Sequence, residues 1–366
     1  MDHSRTLKLD GLDLDKYGKY FSSSKLCFTV KKADSIGMGN CFSLLTERFA
    51  TSPVEEGVKV FTMVELKKAT KNFGKERVIG DSYGEVVRGY INPKTLSPAK
   101  EGVGMAVAVK RFYLKYEEAL QKCLVDLEIL RHNSHPSLVK LIGYGYGYDH
   151  EKLFIVSEYF PNGSLERYIF RKSRPKSLPW ETRLKISIEG ARCLAFLHSR
   201  KKDGLYRTCL TACNILLDSE FNARVSCFRL KMVDSLEDCS HTPSYADGSS
   251  RIYYAPLEYI FSGNNLLFPP SVLSQSHMAG DVYSFGVILL EILTGLRNPC
   301  IILAKQATQN GKENIAEMID PDLENSYPLA AGKLMCELSK QCLEDNPKIR
   351  PTMQEVLDNL NAIGQI

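Results

Sequence analysis

The chain has 366 residues, 44% hydrophobic and 25% charged, with a formal net charge of +4 from 47 basic and 43 acidic side chains. That length suits one large two-lobed domain with extensions, and the near-balanced charge gives no electrostatic argument for nucleic acid as a partner. Eleven cysteines, an odd number without disulfide or zinc spacing, point to a reducing compartment, and the longest apolar run, Val282 to Leu293, is broken by Ser284 and Glu291 and too short to span a bilayer.

Residues 1–37 are polar, without periodicity, and are expected to form a disordered upstream extension. Met38-Gly39-Asn40-Cys41-Phe42-Ser43 then fits the N-myristoylation pattern, with Cys41 placed to carry palmitate. One acyl chain binds membrane only marginally, so the pair would make an anchor of segment 38–54. That requires translation to begin at Met38; otherwise the match is internal and inert. The expected location is cytoplasmic, at the inner face of the plasma membrane if the anchor is used, and no secretory signal pattern is visible.

Thr62 followed by Glu65 predicts a capping box opening a short helix. Arg77 to Tyr90 resembles a glycine-rich loop between two strands, a type that uses Gly so that backbone N–H groups can approach phosphates. Gly80 and Gly84 are present, but the middle Gly is missing and the loop is one residue short. Ala106-Val107-Ala108-Val109-Lys110 is an apolar strand ending in a lysine. Residues 115–132 carry Leu120, Cys123, Leu124, Leu127 and Leu130 at helical spacing. Phe154 to Tyr159 predicts another strand, and Pro161-Asn162-Gly163-Ser164 a turn with Ser164 capping a short helix. Trp180 to His198 reads as an amphipathic helix with Leu184, Ile188, Ala191, Leu194 and Ala195 on its core face. Asn214-Ile215-Leu216-Leu217-Asp218 and Val225-Ser226-Cys227-Phe228-Arg229-Leu230 flank a hairpin. Beyond them, residues 231–254 are polar and hold Ser235, Ser240, Thr242, Ser244, Ser249 and Ser250. Asn264 to Met278, with Pro269-Pro270 and little charge, reads as a surface loop. Asp281 to Gly286 starts a central helix, and Thr352-x-x-Glu355 caps the last one.

In this order the motifs resemble a eukaryotic protein kinase. Together with Phe61 to Phe73 (Phe-Thr-x-x-Glu-Leu-x-x-Ala-Thr-x-x-Phe) and the Met38 segment, they resemble the plant receptor-like cytoplasmic kinases. The resemblance implies an α+β bilobal fold over residues 55–364, with a small β-rich N-lobe at about 73–158 and a mainly helical C-lobe at about 159–364. It implies nucleotide contacts from Gly80, Gly84, Lys110 and Asn214, a helix partner for Lys110 at Asp126, and Ser157 at the gatekeeper position. Asp126 is one methylene shorter than the family's glutamate. Glu258, Asp281 and Arg350 match structural positions, with Arg350 the expected partner of Glu258.

The chemical positions depart from the family. An ungapped alignment from Asn214 puts Cys209 at the catalytic aspartate and Thr211 at the phosphate-contacting lysine; matching Tyr206-Arg207 instead puts Thr208 at the aspartate. Cys227 replaces the metal-binding aspartate and Arg229 the following glycine. Phosphoryl transfer relies on such carboxylates for the hydroxyl proton and the metal. The expectation is therefore an inactive kinase homologue, with weak ATP binding and little use for Mg²⁺. It would act as a scaffold, decoy or regulator among receptor kinases, other protein kinases and immune-signalling proteins. The alternatives are an active Ser/Thr kinase with rebuilt chemistry and an ATP-binding switch that transfers nothing.

Overall fold

The computed structural model describes residues 58–80, 85–114, 120, 123–124, 127, 130–148, 152–170, 177–200, 210–226, 254–256, 270–297, 319–323 and 326–366, with backbone alone for 270–277. These residues build a sheet lobe followed by a helical lobe.

The sheet has six strands: β1 (Lys59–Val60), β2 (Val78–Gly80), β3 (Val86–Ile91), β4 (Met105–Tyr113), β5 (Leu141–Tyr146) and β6 (Lys152–Glu158), in the order β1-β5-β6-β4-β3-β2. All pairs are antiparallel except β1 with β5. Period-two alternation divides the faces. Ile91, Val107, Val109, Phe154 and Val156 form one core with Phe61, Leu66 and Ala69. Leu66 and Ala69 lie on helix α1 (Met63–Ala69), opened by the expected capping box: Thr62 Oγ1 accepts the Glu65 N–H at 3.2 Å, and Glu65 Oε2 accepts the Thr62 N–H at 2.9 Å. Gly143 and Gly145 leave room for this segment, since a Cβ at Gly143 would collide with the Lys59 carbonyl. Positions 120, 123, 124 and 127 are helical and buried, as their spacing predicts.

The helical lobe comprises α2 (Glu166–Ile169), α3 (Trp180–Ser199), the hairpin β7 (Ile215–Leu217) and β8 (Ala223–Val225), α4 (Pro270–Thr294), α5 (Leu329–Cys342) and α6 (Met353–Ile363). Its core gathers Leu184, Ala191, Leu194, Ile215, Val225, Phe285 and Leu360, among others. Thr352 and Glu355 cap α6 as expected.

Three readings need correction. Ser164 does not cap α2, whose N-cap is Leu165 without a side-chain bond; Ser164 instead bridges to Leu216 beside the hairpin. Ile188 and Ala195 are only partly buried on α3, whereas Arg183 on the same helix is buried. Residues 270–278 are helix rather than loop, because α4 begins at Pro270. Proline suits a first helical turn, where its missing N–H would have no partner in any case.

Candidate functional site

The second face of the sheet carries the nucleotide-type residues. Register places Val86, Lys110 and Ile155 in one row and Arg88, Ala108, Ser157 and Leu141 in the next. Lys110 is therefore neighboured by strand residues on both sides, and its Nζ lies 4.9 Å from the Phe112 ring centroid. Ser157 is buried and pairs with Ala108, so two small side chains stand next to each other in this row. Gly80 ends β2 with open space where a Cβ would project. Lys110, Ser157 and Gly80 thus belong to one sheet, as the motifs imply.

Across from that sheet, a 3₁₀ turn, Ala212–Asn214, leads into β7. Asn214 Oδ1 accepts the Thr211 hydroxyl at 2.9 Å and the Thr211 N–H at 3.2 Å, and the Asn214 N–H returns to the Thr211 carbonyl at 2.9 Å. Thr211 is buried and Asn214 half-buried, so this closed ring of bonds is partly sheltered from water. Ser226, just before Cys227, donates its N–H to the Asn214 carbonyl at 2.8 Å. The two halves of the expected metal site therefore start from bonded backbone segments.

Mg²⁺ asks for hard oxygen ligands in octahedral array. Here the amide oxygen of Asn214 is already engaged by Thr211, and position 227 supplies a soft thiol in place of a carboxylate. Gly39, Cys41, Gly84, Asp126, Cys209, Cys227, Arg229 and Glu258 lie outside the described residues.

The framework positions are clear. Asp281 is buried on α4, with Oδ2 3.2 Å from Nε2 of His198 at the end of α3. Arg350 donates to the carbonyls of Glu344 and Ala279 at 2.8 and 3.1 Å and sits 5.0 Å from the Tyr283 ring centroid. Tyr254 donates its hydroxyl to both oxygens of buried Glu291 at 2.9 Å, and burial, reinforced by that carboxylate, raises its pKa. This last pair, and the Glu158–Arg224 ion pair described below, escaped sequence reasoning. Their partners are distant in the chain and leave no local pattern.

The sheet lobe, with Lys110 on its central strand, and the helical lobe define a protein kinase fold. The protein tyrosine and serine/threonine kinase family matches residues 74–360. The chain is 64% identical over 332 residues to Serine/threonine-protein kinase SZE1 of Arabidopsis thaliana, covering 90% of this chain and 100% of that one. It is 37% identical over 357 residues to Inactive serine/threonine-protein kinase BKN2 of the same plant, covering 90% and 99%. The solved structure of the apo GRMZM2G135359 pseudokinase has the same fold, with a TM-score of 0.62 at 21% identity over 92% of this chain and 99% of that one. The chain belongs to the protein tyrosine and serine/threonine kinase family and, within it, groups with the receptor-like cytoplasmic kinases of plants. Among the described residues, no helix is long and apolar enough to cross a membrane.

Proposed function

We propose that the chain is a kinase-shaped binding module without phosphoryl-transfer activity, working as a scaffold, decoy or regulator beside receptor kinases. The observation that carries this reading is the Thr211–Asn214 ring of hydrogen bonds. It occupies the asparagine that would otherwise hold a metal, in a chain with no carboxylate at 208, 209 or 227. Losing a general base alone costs about 10²–10⁴-fold in rate, and the missing metal ligand adds to that. Nucleotide would bind weakly and almost indifferently to Mg²⁺, held by Lys110 and the sheet face around Ala108 and Ser157. Partners would be other protein kinases and immune-signalling proteins. Gly39 and Cys41 would anchor the chain to membrane if translation starts at Met38, which intact-mass analysis of protein from its own cells reads directly. A relative named as inactive, BKN2, is consistent with this reading.

A second reading is an active Ser/Thr kinase with rebuilt chemistry. It is favoured by the retained Lys110 and by the 64% identity to SZE1, which is named as a kinase. Purified chain incubated with labelled ATP, with and without Mg²⁺, separates the two. The expected result is no labelled protein or peptide, and calorimetry showing weak binding unchanged by Mg²⁺. Phosphate transfer abolished by Lys110→Met would establish the second reading instead.

A further inference from the structure

Three segments meet at the end of β6. Glu158 is the last residue of that strand, and its two carboxylate oxygens lie 2.8 and 2.7 Å from Nη1 of Arg224, the middle residue of β8. Oε1 of Glu158 also accepts the N–H of Lys140, at 2.7 Å. Lys140 belongs to the segment entering β5, and that segment is itself bonded to β8: Val225 donates to the Ser137 carbonyl at 2.8 Å, and Val139 to the Val225 carbonyl at 3.0 Å. One carboxylate therefore joins the sheet lobe, its entry segment and the hairpin of the helical lobe.

The far end of the interlobe connection returns to the same hairpin. Asn162 donates its backbone N–H to the Leu217 carbonyl and its Nδ2 to the Asp218 carbonyl, the latter at 2.6 Å. Leu217 in turn donates to the Gly163 carbonyl at 2.8 Å, where Gly163 holds φ +68°, a conformation that favours glycine. The connection from Glu158 to Gly163 is thus fastened to one rigid hairpin at both ends. Backbone bonds and the Asn162 amide hold the far end. At the near end, among the described residues, backbone bonds reach β8 through the segment 137–140, and the Glu158–Arg224 ion pair is the direct tie between β6 and β8.

We propose that Glu158 and Arg224 form a clip that fixes the interlobe hinge in one setting, so that the two lobes act as one preformed body. The side chains retain 26% and 34% exposure, so the pair is sheltered without being sealed, and one guanidinium nitrogen spans both oxygens. A pair of that kind can be opened without unfolding either lobe. The inference is independent of catalytic competence. It concerns the angle between the lobes, which sets both the width of the cleft and the surface a partner would meet.

Amide hydrogen exchange on the full chain tests it, with Glu158→Gln, Arg224→Met and Arg224→Lys. Glutamine keeps an acceptor for Lys140, methionine keeps the stem beside Phe160, and lysine keeps the charge. In both Glu158→Gln and Arg224→Met, amides of residues 157–162 are expected to exchange about fivefold faster, the scale of one partly sheltered ion pair. Peptides from α3 and α6 should be unchanged, and Arg224→Lys should retain most of the protection. The double variant Glu158→Gln/Arg224→Met should exchange no faster than either single one, because both remove the same contact. Unchanged hinge exchange in Glu158→Gln, or additive acceleration in the double variant, overturns the clip. Arg224→Met behaving as wild type overturns it too, by reducing Arg224 to a packing residue.

Discussion

Glu189 shows what one partly buried side chain does for the site hairpin. It projects from α3, and its carboxylate accepts the N–H of Ala223, the first residue of β8. Burial raises its pKa above the ordinary 4.5, while the Ala223 bond, Lys185 and Arg192 pull the other way. The folded form therefore holds the proton more tightly than the unfolded chain does. Its contribution to stability is greatest below the unfolded value and is lost as pH rises through the folded one. Glu189→Gln keeps an acceptor for Ala223 and removes the desolvated charge. Thermal unfolding should then show the variant gaining on wild type as pH rises above the ordinary glutamate value of 4.5; a difference that stays constant with pH would contradict the assignment. At this scale the sequence was informative wherever partners lie close together in the chain. The Thr211–Asn214 contact spans three positions, the reach of a single 3₁₀ turn, and the motif frame had already singled out both residues. Glu158 and Arg224 are 66 positions apart, and nothing in either neighbourhood marks them as partners.

At the scale of elements, residues 58–73 are part of the sheet lobe although the family match starts at 74. β1 extends the sheet beyond β5, Phe61 donates its N–H to the Tyr144 carbonyl at 2.7 Å, and α1 contributes Leu66 and Ala69 to the same core as Val107 and Phe154. The segment ends in a turn where Lys71, Asn72 and Phe73 hold φ of 50°, 60° and 54°, left-handed values that cost non-glycine residues about 1 kcal/mol or more each. That strain is offset by Phe73 stacking on Phe154 at 5.2 Å and by the bond from the Phe73 N–H to Thr70 Oγ1 at 3.0 Å. A chain starting at residue 74 should lose stability in the sheet lobe, and Phe61→Ala alone should cost about 3 kcal/mol, from a side chain only 2% exposed. Denaturant unfolding of the two variants checks this, and wild-type midpoints for both would make the segment an ornament. The helix was legible because a capping box is a local, three-residue signal. The start of α4 was not, since Pro269-Pro270 and a low-charge stretch read equally well as a loop, and only packing decides between them.

For the whole molecule, the contrast lies between a kept architecture and altered chemistry. Asp281 and Arg350, two of the family positions that fold the chain, are engaged in bonds, while positions 209, 211, 227 and 229 carry Cys, Thr, Cys and Arg in place of the residues the family uses there. Arg183 is the strongest case on the architectural side. It is 3% exposed on α3, and each guanidinium nitrogen has a partner: Nε to the Leu178 carbonyl at 2.8 Å, Nη1 to the Ile292 carbonyl at 2.6 Å, and Nη2 to Ser177 Oγ at 3.0 Å and Asp320 Oδ2 at 2.7 Å. It thereby ties α3 to the end of α4 and to the 3₁₀ turn Pro321–Leu323. A buried ion pair gains little over a well-packed apolar pair, because its attraction is set against the cost of removing both charges from water. Breaking it from one side leaves a buried charge uncompensated and costs about 3–5 kcal/mol. Asp320→Ala should therefore destabilise the helical lobe by about that amount. Arg183→Leu/Asp320→Ala should lose less than the sum of the single variants, since no lone charge remains. Chemical unfolding of the three proteins measures it. Strict additivity would mean that Arg183 acts through the two carbonyls alone and that Asp320 contributes independently of it.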